Sequence, residues 1–155
     1  MPQFVFNTAK GKVNEYAERV IGNDPANSAV TVVLLQASEA DAVLEDYDNL
    51  ALLLAAGGNT EADFTNYGRI DVTNPTVTVD DTNNWSQASI GDQTWVGAGG
   101  VADNTLTKIL ICYNPDTVGG TDSDIIPMTA DDFAATTNGQ DLTALEDSNG
   151  FFRAT

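Results

Sequence analysis

The 155-residue chain has no histidine. That absence excludes histidine metal sites, Ser-His-Asp triads and Cys-His dyads. It also removes the one side chain that ordinarily titrates between pH 5 and 8, so no sharp charge switch is expected near neutrality. A single cysteine, Cys112, excludes an intramolecular disulfide and a thiolate-cluster zinc site. Bases are scarce: six Lys and Arg face 23 Asp and Glu, for a net charge of −17. Between Val20 and Thr107 Arg69 is the only base, against thirteen acids. Nucleic-acid binding needs Lys and Arg to displace counterions from phosphate, so this surface repels DNA and RNA. Anionic membranes are disfavoured for the same reason. No apolar run approaches the ~20 residues of a membrane-spanning helix. Met1-Pro2-Gln3-Phe4 opens no basic region followed by an apolar one, so no signal peptide is expected.

What remains is the composition of a folding domain. The hydrophobic fraction is 42%, and Leu, Val, Ile and Phe fall in short periodic blocks with Trp85 and Trp95 among them, which argues against disorder. The length fits one domain, residues 1–155, with enough buried surface to fold without a disulfide or metal. Phe4-Val5-Phe6 reads as a short strand or arm. Ala9, Val13, Tyr16, Ala17 and Val20 recur at helical spacing up to a stop at Gly22-Asn23. Ala29 to Leu35 is a β-branched run suited to a strand buried on both faces. Ser38 and Asp41 suggest a helical turn, and Asp46 a cap for a helix from Tyr47 to Ala56.

Beyond Gly58 the pattern is strand and turn. Asn66–Val72 reads as a strand. Thr76–Val79 and Trp85–Ile90 form a hairpin around Asp80–Asn84. Gln93–Val96 and Thr107–Tyr113 are further strands, and Asn114–Asp124 is a polar loop. Ile125–Met128 returns to the core, and Asp131-Asp132 opens a turn. Asn138-Gly139 sits between Thr136-Thr137 and Leu142-Thr143 as a second hairpin signal, and Phe151-Phe152-Arg153 closes the chain as a strand. The expected class is α+β, mainly antiparallel β: a compact β-sandwich or barrel-like core with two short helices in the N-terminal half.

Each candidate for chemistry has a plainer structural reading. Asp80–Asn84 and Asp116–Asp124 cluster oxygen ligands of the kind calcium takes, but neither has EF-hand spacing, and Asp and Asn also dominate ordinary turns. An acid pair for glycoside hydrolysis is conceivable among so many carboxylates, yet none stands in an apolar context that would raise its pKa. Trp85, Trp95 and Tyr67 suit a sugar-stacking platform or a core. Gly97–Gly100 lacks the lysine of a phosphate loop. Cys112, between Ile111 and Tyr113, reads as a buried apolar residue. No catalytic residue, metal ligand or cofactor is expected, which directs attention to surfaces and interfaces.

Several segments together resemble a known family. They are residues 6–13 (FNTAKGKV), 44–51 (LEDYDNLA), 77–83 (VTVDDTN), 108–117 (KILICYNPDT), 124–133 (DIIPMTADDF) and 150–154 (GFFRA). The chain resembles small virion proteins of tailed bacteriophages, especially phages of actinobacteria, nearly end to end. The resemblance implies a non-enzymatic virion component made in the host bacterial cytoplasm. A head decoration protein on the outer surface of the shell is expected, with the major capsid protein as partner and a homotrimer at capsid three-fold positions. A minor tail or head–tail joining protein, and a carbohydrate-binding adhesion module, are the alternatives. Residues 1–22 are then an N-terminal docking segment with a helix. Pro2 to Arg19 holds three of the six bases, and Phe4, Phe6, Lys10, Lys12 and Arg19 are the expected partner contacts, unless the segment simply completes the core.

Overall fold

The computed structural model describes residues 3–155. In chain order the elements are β1 (Phe4–Val5), a 3-10 turn (Asn7–Ala9), α1 (Val13–Ile21), β2 (Ala29–Ala37), α2 (Asp41–Leu44), α3 (Leu50–Ala55), β3 (Thr60–Glu61) and β4 (Ile70–Val72). There follow β5 (Thr76–Asp80), β6 (Trp85–Ser89), β7 (Gln93–Ala98), β8 (Thr105–Asn114), β9 (Ile126–Thr136), β10 (Gln140–Ala144) and β11 (Phe152–Ala154). The fold is α+β and mainly antiparallel β, as expected.

A six-stranded sheet in the order β1-β9-β8-β2-β3, with β4 also on β2, forms the middle layer. Its centre is β2 against β8, in a register that sets Val32 beside Ile111 and Val33 beside Leu110. Because successive side chains of a strand point to opposite faces, β2 feeds two cores. Val30, Val32 and Leu34 enter one, and Val33 and Leu35 enter the other. The β-branched run from Ala29 to Leu35, apolar save Thr31, is therefore buried throughout.

Helix α1 covers the first face with a stripe of Val13, Tyr16, Ala17 and Val20. The Tyr16 ring stacks on that of Tyr113 at 4.6 Å. The same face carries two small sheets, β11-β6-β5 and β10-β7, which contribute Ala88, Trp95 and Ala98. The second face is closed by Leu44, Leu50 and Leu53 of α2 and α3, together with Phe6 and Ile125. Each fully buried Leu or Val contributes about 1.5–3 kcal/mol relative to exposure.

Five local expectations are corrected. Helix α1 starts at Val13 rather than Ala9, because Gly11 lies at φ +79°, a left-handed conformation that breaks the helix. Helix α3 starts at Leu50, capped by Asn49, whose side-chain oxygen accepts the Leu52 amide at 2.9 Å. Asp46 instead accepts the Asn7 side-chain amide at 2.5 Å. The helical turn expected at Ser38 and Asp41 forms as α2, so among the described residues the helical segments are α1, α2, α3 and the 3-10 turn. Only Ile70–Val72 of the expected Asn66–Val72 strand pairs, since Asn66 lies at φ +68°. Strand β9 runs straight through Asp131-Asp132, because Asp132 stands opposite Lys108 in the ladder and pairs with it. The Asn138-Gly139 turn exists, but β10 leaves β9 and pairs with β7. The Asn138 and Gly139 amides both donate to the Ala98 carbonyl, which steers the chain there.

Candidate functional site

The N-terminal set separates across the central sheet. Phe6 is fully buried in the core beneath α2 and α3, so it cannot reach a partner, and this part of the docking expectation is corrected. Phe4 is half-buried, tilted on Phe6 at 5.1 Å between ring centroids, with the Lys108 ammonium 5.8 Å from its ring centroid. Strand β1 is hydrogen-bonded to β9, with Phe4 opposite Ala130. The segment therefore completes the sheet and the core. Lys10 is exposed, donates to Asn7 and lies 3.6 Å from Glu45. Lys12 is exposed on the turn before α1. Arg19 belongs to α1, which packs on the opposite face of the sheet, and it donates twice to Glu15 one turn earlier.

The other candidates resolve into structure. Asp80 accepts the amides of Thr82 and Asn83 and the Asn83 side chain, which hold its carboxyl below the usual range. Asp116 accepts the Val118 and Gly119 amides, and Asp124 accepts the Thr121 amide and hydroxyl. These are Asx-type turns. Among the described residues no group of three or more acidic or thiol side chains is placed to hold a metal ion. Trp95 is 3% exposed, and its indole N–H donates to the Gly68 carbonyl at 2.8 Å. Trp85 is half-buried under the Arg153 guanidinium, 4.2 Å from its ring centroid. The Tyr67 hydroxyl donates to Glu61 and accepts the Leu34 amide. The three aromatics form no common exposed platform. Cys112 is fully buried, and burial pushes its thiol up to about 12.

Arg69 organises the acidic half of the molecule. Its Nε and Nη2 donate to Glu61 at 2.8 and 2.7 Å. Its Nη1 and Nη2 donate to Asp122 at 2.5 and 3.0 Å. Two bidentate forks thus tie the 115–125 loop to β3. The same loop reaches α3, where the Ile125 and Asp122 carbonyls accept the Leu50 and Ala51 amides. Lys108, only 6% exposed at its side chain, is held by Asp41 and Asp132 at 2.6 Å each and by Gln3 at 2.7 Å.

One concave feature was not legible in the sequence. A half-open groove of about 320 Å³ lies between β8, β9 and the segment 144–151. Ile90, Ile109, Ile111, Phe133 and Phe151 supply its apolar side. Asp131, Asp132, Glu146 and Asp147 also line it, and among the described residues no Lys or Arg does. Asp131 is half-buried and accepts the Gln3 amide at 2.8 Å, while burial raises its carboxyl above the usual range. Glu146 is fixed by the Ser89 hydroxyl and by the Ile90 and Gly91 amides. Residues from 90 to 151 meet here through non-local pairing, so no local motif marks the site. No protein-family model, curated protein or solved structure matches the chain.

Proposed function

We propose that the chain is a virion structural protein, a head decoration protein of a tailed phage that binds the outer surface of the major capsid shell. The observation that carries the reading is how the few cations are used. Lys10, Arg19, Arg69 and Lys108 are each in ion pairs with the chain's own carboxylates, and Arg153 rests on Trp85 and Gln87. The net charge of −17 is therefore presented outward with little cationic surface to soften it. Such a surface suits the exterior of a DNA-filled particle, since DNA repels it. The resemblance to small virion proteins supports the same reading. The chain associates as a homotrimer at capsid three-fold positions. Binding the assembled shell but not separated subunits stabilises the shell by mass action, about 2.7 kcal/mol per site at a free concentration of 100 times Kd.

The test is co-sedimentation of the purified chain with shells that lack it. Saturable binding at a simple fraction of the capsid protein, with a raised disruption temperature, is expected. Absence of saturable binding would overturn the reading. Binding confined to tail or portal assemblies would favour the joining protein instead.

A further inference from the structure

We propose that copies of this chain associate through the β7–β10 ribbon, the outer edge of β10 in one copy pairing with the outer edge of β7 in the next. The proposal takes the trimer from the decoration reading and adds the surface that builds it. β7 and β10 form a sheet of two strands only, so each has one edge without a strand neighbour. Among the described residues no backbone hydrogen bond joins residues 94–96 or 142–144 to a third segment. An unpaired strand edge is a row of donors and acceptors that another strand edge satisfies. The two open edges lie on opposite sides of the ribbon, and its strands are antiparallel. Repeating the ribbon head to tail about a three-fold axis therefore keeps every neighbour antiparallel and closes the strands into a ring without a free edge.

The side chains fit that placement. Successive residues of a strand point to opposite faces. One face of the ribbon, with Trp95, Leu142 and Ala144, packs on the core. The other presents Thr94, Val96, Thr143 and, just past β10, Leu145, all exposed and uncharged. Val96 is 71% exposed and Leu145 78%. Inside a closed ring these side chains face one another and leave water. The Thr94 and Thr143 hydroxyls already bond each other at 2.8 Å, which lowers the cost of covering them. Asp141, at the bulge in β10, accepts the Gly97 amide at 2.8 Å. The charge singles out this face for a second copy. At −17 each, two copies repel through their acidic surfaces and approach at least cost where ionised side chains are missing.

The experiment is sedimentation equilibrium of the full chain at concentrations up to about 1 mM, which reads both stoichiometry and association constant. A trimer is expected, and it should strengthen between about 0.05 and about 0.5 M NaCl, because salt screens the repulsion between copies and spares the apolar contact. Val96→Asp and Leu145→Asp each place a like charge inside the ring and are expected to weaken association by at least about tenfold. Val118→Asp and Leu52→Asp add the same charge at exposed positions off the ribbon and are expected to associate as the parent does. Circular dichroism checks that all four variants fold. Hydrogen exchange at residues 94–96 and 142–144 is expected to slow as the trimer forms. A monomer throughout, a dimer, association that weakens with salt, unaltered Val96→Asp and Leu145→Asp variants, or an equal loss in Val118→Asp or Leu52→Asp would each overturn the proposal. Shell co-sedimentation decides the decoration reading separately: saturable shell binding by a chain that stays monomeric would refute this contact and leave shell binding standing.

Discussion

Replacing Arg69 by methionine keeps most of the side-chain stem and removes the guanidinium that joins Glu61 to Asp122. The Arg69 and Glu61 side chains are 26% and 22% exposed, and Asp122 is 39% exposed. The network thus lies between a surface pair, worth at most about 1 kcal/mol, and a buried one, whose disruption costs about 3–5 kcal/mol. With two carboxylates losing a bidentate partner, Arg69→Met should destabilise the fold by about 3 kcal/mol near pH 7. For a urea m-value of about 2 kcal/mol/M the midpoint falls by about 1.5 M. The pH dependence has a definite sign. Hydrogen bonding to Arg69 depresses the Asp122 carboxyl in the folded state. That contribution is complete above the unfolded carboxylate pKa of about 3.9 and is lost as pH falls through the lower folded value. The gap between parent and variant should therefore be full near pH 7 and narrow below about pH 4. Partial burial also means that it persists in about 0.5 M NaCl. A midpoint change under about 0.3 M, or a gap unaltered between neutral pH and about pH 3, would refute the reasoning.

Other consequences follow from single contacts. Asn49→Ala should cost about 1 kcal/mol by removing the α3 cap, and Asp46→Ala less than half of that, which paired urea titrations would resolve. Gly150 lies at φ +68°, where a Cβ would come within 2.1 Å of the Ala88 carbonyl oxygen. Gly150→Ala should therefore lower stability by more than about 2 kcal/mol in thermal unfolding. The Cys112 thiol, fully buried and pushed up to about 12, should react with an aromatic disulfide reagent only at the rate of unfolding. Labelling at the rate of a free thiol would contradict its placement. Shell binding should show no steep step between pH 6 and 8, because the chain has no histidine.

The parts of the fold legible in the sequence are those whose cause is local. β2 reads correctly because both its faces are buried, so its residues from Ala29 to Leu35 are apolar save Thr31, whose hydroxyl donates to Asp71. The β5–β6 hairpin reads correctly because alternation flanks a turn that Asp80 itself closes. The parts that read wrongly depend on distant partners. Asp131-Asp132 looks like a turn until Lys108 is set opposite Asp132 in the ladder. Asn138-Gly139 does form a turn, but the strand that follows is claimed by β7, some 45 residues earlier in the chain. Phe6 beside Lys10 and Lys12 has the look of a sticky basic arm. Its ring instead fills a core built from Leu44, Leu50, Leu53 and Leu110. Trp95 is core and Trp85 is only half-buried, and alternation along a strand does not separate the two. The groove was invisible for the same reason as the β7–β10 pairing, since its lining comes together only when the sheets assemble.

The central claim is that this acidic domain decorates a phage head. Quantitative mass spectrometry of purified virions, reading copies of the chain per major capsid protein, tests it most directly. A lattice-wide decoration protein gives a ratio near one or a simple fraction of it. A ratio near one in a hundred would place the chain at a vertex or in the tail and contradict the account.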